Sequence, residues 1–160
     1  MIIKQVNTYD LVQYKEPSMV ISFCKCNWKC CYEANISNSV CQNSQIAKME
    51  NIETSPHELY NLYCESPLSK CVVLSGLEPF LQFDEVYLLI DYFRSHGCND
   101  PFVIYTGYYK DEIRNEVEKL AKFPNIIIKF GRYIPGQEKH LDDVLGVELA
   151  SDNQYAEKIS

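Results

Sequence analysis

The chain predicts an α/β fold built from parallel βα repeats, on three observations. Short, continuous apolar runs recur along it, segments with apolar residues at helical spacing lie between them, and each run ends in a turn of glycine or polar residues. Strands alternating with amphipathic helices form right-handed βαβ units and therefore a parallel sheet. In such sheets ligands bind beyond the carboxyl ends of the strands.

The first strand is expected over residues 18–23, where Met19-Val20-Ile21-Ser22-Phe23 follows Pro17. Residues 24–54 carry cysteine, asparagine and serine without periodicity, which predicts a long functional loop with one short helix. Ser55-Pro56-His57-Glu58 is a helix start: the serine can cap, proline suits the first helical position, and Glu58 completes a capping box. Leu59 and Leu62 give that helix its apolar face. Cys71-Val72-Val73-Leu74-Ser75 reads as a buried parallel strand, ending in Gly76-Leu77-Glu78-Pro79. Phe83, Val86, Ile90 and Phe93 mark the next helix, closed by Ser95-His96-Gly97. Phe102-Val103-Ile104-Tyr105 is a strand ending at Thr106-Gly107-Tyr108. Ile113, Val117 and Leu120 predict a helix before Pro124, and Ile126-Ile127-Ile128-Lys129-Phe130 a last strand ending at Gly131. The turns after these strands are expected to converge on one rim.

At 160 residues the chain has the usual size of one domain, taken as residues 1–160, and can bury a sizeable core. A formal net charge of −7 argues against broad nucleic-acid binding, which needs a basic footprint. No run approaches the ~18 apolar residues of a membrane-spanning helix, and Met1-Ile2-Ile3-Lys4-Gln5 lacks the pattern of a signal peptide. A cytoplasmic protein without a membrane or nucleic-acid partner is expected. In that reducing compartment cysteines serve as thiols or metal ligands rather than disulfides.

The cysteines carry the chemistry. Five of the eight lie between Cys24 and Cys41, and four of these fall within Cys24-Lys25-Cys26-Asn27-Trp28-Lys29-Cys30-Cys31. Thiols this dense behind a strand end point to a metal or iron–sulfur site. Cys64, Cys71 and Cys98 read as structural, and His57, His96 and His140 have no ligand spacing to one another.

The combination of Cys26-x3-Cys30 after an early strand, Ser75-Gly76-Leu77-Glu78-Pro79 after the next, and Tyr105-Thr106-Gly107-Tyr108 after a third resembles the radical S-adenosylmethionine enzymes. Within them the chain is most similar to the activating proteins of anaerobic ribonucleotide reductase. Gly131-Arg132-Tyr133-Ile134 and Ala150-Ser151-Asp152-Asn153-Gln154 are similar to that family's closing segments, so the resemblance spans residues 18–155.

The resemblance implies that the repeats form a partial, open barrel. It also implies a [4Fe–4S] cluster on three cysteines spaced Cys-x3-Cys-x2-Cys, with one iron open to S-adenosylmethionine. Reductive cleavage of that cosubstrate would activate a glycyl-radical enzyme under anaerobic conditions, with a flavodoxin- or ferredoxin-type protein as electron donor. Cys26 and Cys30 match the first two ligand positions, but Glu33 occupies the third, and a carboxylate suits an iron–sulfur cluster poorly. Cys41 is the expected third ligand and Cys31 the alternative. Gly76 and Glu78 resemble the motif that binds the amino group of the cosubstrate. Tyr32 stands where the family places an aromatic beside the adenine, and Thr106 and Tyr108 are expected to line the adenosine pocket. A reading of a different class keeps the same thiols as a closed iron–sulfur or four-cysteine zinc site in a non-catalytic partner protein.

Overall fold

The computed structural model describes residues 1–160. Its centre is the predicted set of parallel strands: β2 (Ser18–Phe23), β4 (Cys71–Gly76), β5 (Phe102–Tyr105) and β6 (Ile126–Phe130), adjacent in that order. Counted along the chain, β1 (Ile2–Asp10) precedes them and β3 (Ile52–Glu53) falls between β2 and β4. β9 (Tyr155–Lys158) follows β6 and a separate two-stranded hairpin, β7 (His140–Asp142) with β8 (Val147–Leu149). The seven-stranded sheet runs β3-β1-β2-β4-β5-β6-β9, antiparallel at both ends and parallel between β2 and β6. The α/β class with parallel βα repeats therefore holds, and the sheet is open: β3 and β9 form its two edges and the strands close no barrel.

The helices follow the local signals. Ser55 caps α3 (Pro56–Cys64), accepting from the Glu58 amide at 3.2 Å while Glu58 accepts from the Ser55 amide at 2.8 Å. α4 (Phe83–Ser95) and α5 (Arg114–Leu120) complete the crossovers. The long segment after β2 holds two short helices rather than one, α1 (Lys29–Glu33) and α2 (Ser44–Lys48). β1, β9 and the hairpin lie outside the predicted repeats. Their sequences are mostly polar because each is covered on one face or lies at an edge, where a continuous apolar run is not required. No helix is long and apolar enough to cross a membrane.

The two faces of the sheet differ. Met19, Ile21, Phe23, Val72, Leu74, Phe102, Ile104, Ile126, Ile128 and Phe130 face the helices, meeting Leu59 and Tyr63 of α3, Val86, Leu89, Ile90 and Phe93 of α4, and Val117 and Leu120 of α5. The opposite face alternates with these residues, as a period of two requires. There Val20, Val73, Val103 and Ile127 are in register across four strands and pack against Tyr14, Leu145 and Leu149. One step further toward the carboxyl ends, the same face carries Ser22, Ser75, Tyr105 and Lys129. The apolar patch plugs the lower half of this inner face; the polar row floors what lies above it.

Candidate functional site

A cavity of about 840 Å³ opens at the carboxyl ends of the parallel strands. Its floor is the row Ser22, Ser75, Tyr105 and Lys129; its walls include Cys26, Cys30 and Cys41 of the cysteine loop and Gly76, Glu78, Thr106 and Tyr108 of the strand-end turns. The cysteine loop and all three strand-end turns thus meet on one rim, as βα geometry requires.

The cysteine loop is shaped by local hydrogen bonds. Trp28, just ahead of α1, has the left-handed φ of 55°, a strained position for a bulky residue. There its amide donates to the Cys26 sulfur at 3.2 Å. The Asn43 amide favours the Cys41 thiolate in the same sense, just beyond the 3₁₀ turn Asn38–Val40 that Cys41 ends. Cys30 faces the cavity from α1, whereas the next residue, Cys31, points inward and is buried, its sulfur 3.9 Å from that of Cys30. Burial pushes the Cys26 thiol up to about 11 and that of Cys31 up to about 12. Both directions reflect the cost of a lone thiolate away from water, a cost that ligation to a cation removes.

Gly76 anchors the second wall. Its φ is +84°, and a Cβ there would lie 2.7 Å from the Ser22 Cβ, so only glycine lets the turn pass this close to β2. Leu77, at the following position, leaves this approach intact. The Glu78 amide then donates to the Lys25 carbonyl at 2.7 Å, tying the turn to the cysteine loop. The Glu78 carboxylate is buried and fully engaged: one oxygen accepts from the Thr106 hydroxyl at 2.8 Å and the Phe80 amide at 3.1 Å, the other from the Gly107 amide at 2.8 Å. Burial raises its pKa, against the pull of those three donors. Sequence reasoning offered this carboxylate to a ligand ammonium; the structure spends it on joining two strand-end turns, and leaves the backbone of the Gly76 turn on the cavity wall.

Glu33, at the position where the family pattern has a thiol, turns away from the cysteines. It is exposed and pairs with Arg132 at 2.8 Å, without hydrogen-bond geometry at the arginine Nε. Arg132 is buried, donates to both carboxylate oxygens of Glu112 at 2.7 and 2.6 Å, and stacks 4.8 Å from the Tyr109 ring. Lys29, one turn before Glu33, reaches Glu112 at 2.6 Å. Two charges on α1 thus clamp the helix that carries Cys30 to the far rim. The two cations hold the Glu112 carboxyl down at about 2, the Arg132 hydrogen bonds contributing most.

The structure therefore brings Cys26, Cys30, Cys41, Gly76, Glu78, Thr106 and Tyr108 to one cavity. It does not bring Tyr32 there: this residue is 70 % exposed. Tyr32 lies two residues after Cys30, about 200° around a helix, so α1 carries it to the outer surface. Tyr108 takes the rim instead, its hydroxyl accepting from the Asn27 amide at 2.9 Å. Lys129 and the serines of the floor were missed. The signal for Lys129 was a single charge inside the apolar run 126–130, a residue type almost never buried unless paired.

Three thiols lining one cavity, one of them accepting a backbone N–H bond, form a donor set that fits an iron–sulfur cluster, whose sulfur ligands are tuned by such bonds. No three His, Cys, Asp or Glu side chains converge at the spacing of a single metal ion. A cluster of four irons spreads its ligands more widely than one ion does. A protein-family model described as a 4Fe-4S single cluster domain matches residues 17–154. No curated protein matches the chain.

Proposed function

The chain belongs to the 4Fe-4S single cluster domain family, and from that premise we propose that it is a radical S-adenosylmethionine activase, holding its cluster on Cys26, Cys30 and Cys41. The observation that carries this reading is the cavity of about 840 Å³ lined by three thiols of the cysteine loop together with three strand-end turns. A cluster alone needs no such space beside it. Three thiol ligands would leave one iron free for S-adenosylmethionine.

When bound and reduced, the cluster supplies one electron to S-adenosylmethionine, giving methionine and a 5′-deoxyadenosyl radical. The chain's own residues do the rest. The Trp28 amide would stabilise the thiolate of Cys26 through its hydrogen bond, and the Asn43 backbone favours that of Cys41. The backbone at Gly76 offers acceptors to the amino group of the cosubstrate, and Glu78 positions that turn against Thr106 and Gly107. Tyr108, steadied by Asn27, lines the side where the adenosine would lie. The apolar plug beneath the polar floor excludes water from below. The radical would take a hydrogen atom from a glycine of a partner enzyme, leaving 5′-deoxyadenosine and a glycyl radical, with a flavodoxin- or ferredoxin-type donor resetting the electron. In this reading the open sheet with its helices on one face is part of a radical S-adenosylmethionine barrel.

Anaerobic reconstitution with iron and sulfide, followed by reduction and an assay for 5′-deoxyadenosine, tests the proposal. Release of 5′-deoxyadenosine from S-adenosylmethionine is expected. A fully loaded cluster that never cleaves the cosubstrate would overturn it. Cys31, with its sulfur 3.9 Å from that of Cys30, favours one competing arrangement, a closed four-thiolate site. Under the proposal Cys41→Ala loses cluster iron and Cys31→Ala keeps it; the closed site predicts loss in both.

A further inference from the structure

Each thiol on the cavity is tied down by a different element, and the tie of Cys41 lies outside the site described above. Cys26 is held through Lys25, whose carbonyl accepts from the Glu78 amide, and Cys30 through the ion pairs of α1 with Glu112 and Arg132. Cys41 lies in a stretch with little to anchor it: between Tyr32 and Thr54 only Ser44 is buried. From Cys41 onward the backbone is stiffened locally. The Cys41 carbonyl accepts from the Ser44 amide at 2.9 Å, that of Asn43 from Ala47 at 3.0 Å and that of Ile46 from Met49 at 3.1 Å. Residues 34–51 enter no ion pair, and a single hydrogen bond joins them to the chain outside the cysteine loop. In it the Lys4 Nζ donates to the Met49 carbonyl at 2.6 Å.

Lys4 reaches that carbonyl because β1 is irregular there. Ile3 pairs with Phe23 and Gln5 with Ser22, so Lys4 is an extra residue on β1, and such a bulge re-aims a side chain. Ile3 packs into the helix-side core and Gln5 lines the cavity, while Lys4 is 8 % exposed and enters no ion pair. A buried ammonium is costly unless it is hydrogen-bonded. Met49 caps the end of α2, where carbonyls lack intrahelical partners and a cation is favoured. We propose that Lys4 is the positioning residue of the third thiol: it pins the end of α2 to β1 and so fixes where Cys41 stands on the cavity. The proposal rests on the reading above for Cys41 as a cluster ligand, and it adds the first strand to the apparatus that holds the cluster. Lys4 does not line the cavity and acts through residues 41–49.

Hydrogen exchange and reconstitution of the full chain test this. In the cluster-free protein Lys4→Met is expected to speed amide exchange across residues 41–49 by about tenfold, the worth of one charged hydrogen bond, and to leave α3, α4 and α5 unchanged. Its melting temperature is expected at or above that of wild type, because a buried charge without an anionic partner has gone. After anaerobic reconstitution the same variant is expected to hold less iron per chain, with an altered electron paramagnetic resonance signal from the reduced cluster. Lys4→Arg keeps a donor and is expected to restore both exchange and iron. Unchanged exchange in Lys4→Met, faster exchange with full iron and an unaltered signal, or a loss that Lys4→Arg does not restore would overturn the proposal. So would a lowered melting temperature with faster exchange across the whole sheet, since the lysine then serves the fold alone. Cys41→Ala separates this from the cluster reading. If it loses iron while Lys4→Met keeps it, only the tether falls. If it keeps its iron, the three-thiol reading falls, and exchange in the cluster-free protein still decides whether Lys4 holds the segment.

Discussion

The inner face of the sheet carries two neighbouring rows with opposite chemistry. Val20, Val73, Val103 and Ile127 are sealed under Tyr14, Leu145 and Leu149. Ser22, Ser75, Tyr105 and Lys129, one side-chain step along the same strands, floor an open cavity. Register and backbone pairing continue unchanged from one row to the other. What differs is the cover: the loop after β1 and the β7–β8 hairpin pack directly onto the lower row, while over the upper one they stand with the cysteine loop and the strand-end turns around an open space. Stability and function are thus separated by about 7 Å along each strand, and each row should respond to substitution in its own way.

The largest effect is expected from moving the charge down one row. Val103→Lys places an ammonium on a fully buried central strand, between β4 and β6 and under the hairpin. It should cost more than about 4 kcal/mol, from burying an unpaired charge and overpacking a filled site. Urea denaturation checks this, and Lys129→Met, which removes the charge from the upper row, should show no such loss. Comparable destabilisation of both variants would erase the distinction between the rows.

Gly76→Ala strikes where the upper row meets its wall. The added Cβ meets Ser22 at 2.7 Å from a backbone with φ of +84°. A loss of about 2–3 kcal/mol is expected from strain and displacement of β2. The shift should also loosen Phe23, the register partner of Gly76 and the residue before the cysteine loop. Reconstituted iron per chain should therefore fall along with thermal stability. Unchanged iron content at reduced stability would separate the turn from the cysteine loop.

The clamp at the rim gives a smaller, pH-dependent effect. The Glu112 carboxyl lies below its ordinary value of 4.5, at about 2, because Arg132 and then Lys29 favour the charged form. A depressed acid stabilises the fold above its unfolded value, and the contribution is lost as pH falls from about 4.5 through 2. Solvent reaches part of this cluster, so about 1–2 kcal/mol is expected rather than the full shift. Glu112→Gln should be less stable than wild type by that amount at pH 6, and the two unfolding curves should converge by about pH 2. A gap that persists unchanged into acid would mean that the pair contributes through packing alone.

Much of the sheet was legible because its signals are local. Buried parallel strands are continuous apolar runs, and the box at Ser55 and Glu58 marks its helix start without tertiary help. β1 was not, since its pairing with β2 is set across residues 11–17 and its own pattern is mixed. The site was legible at the level of turns. Cys26, Cys30, Gly76, Thr106 and Tyr108 follow from the rule that strand ends converge, whereas Cys41 follows from the family pattern, as the thiol to replace its third ligand. Directions were not legible: the carboxylates of Glu33 and Glu78 both point to protein partners, Arg132 in one case and Thr106 with Gly107 in the other. Spacing along the chain gives a residue's address on a rim, while the partner that captures its side chain comes from another element. Lys129 was hidden for the converse reason, because a strand reading looks at its neighbours and the space above it belongs to the loops.

The smallest effect separates two tyrosines that sequence treated alike. Tyr32 is 70 % exposed on the outer side of α1, whereas Tyr108 lines the cavity and holds Asn27 of the cysteine loop at 2.9 Å. Tyr32→Ala is expected to change stability by less than about 0.5 kcal/mol, as for an ordinary surface position. It should also leave nucleoside affinity within about twofold. Tyr108→Phe removes one exposed hydrogen bond, worth about 0.5–1.5 kcal/mol, and this should register mainly in binding, because the loop it steadies forms the wall of the site. Calorimetry on both variants orders them. A larger binding loss from Tyr32→Ala than from Tyr108→Phe would mean that α1 rotates on ligand binding, bringing the outer face of the cysteine helix over the cavity.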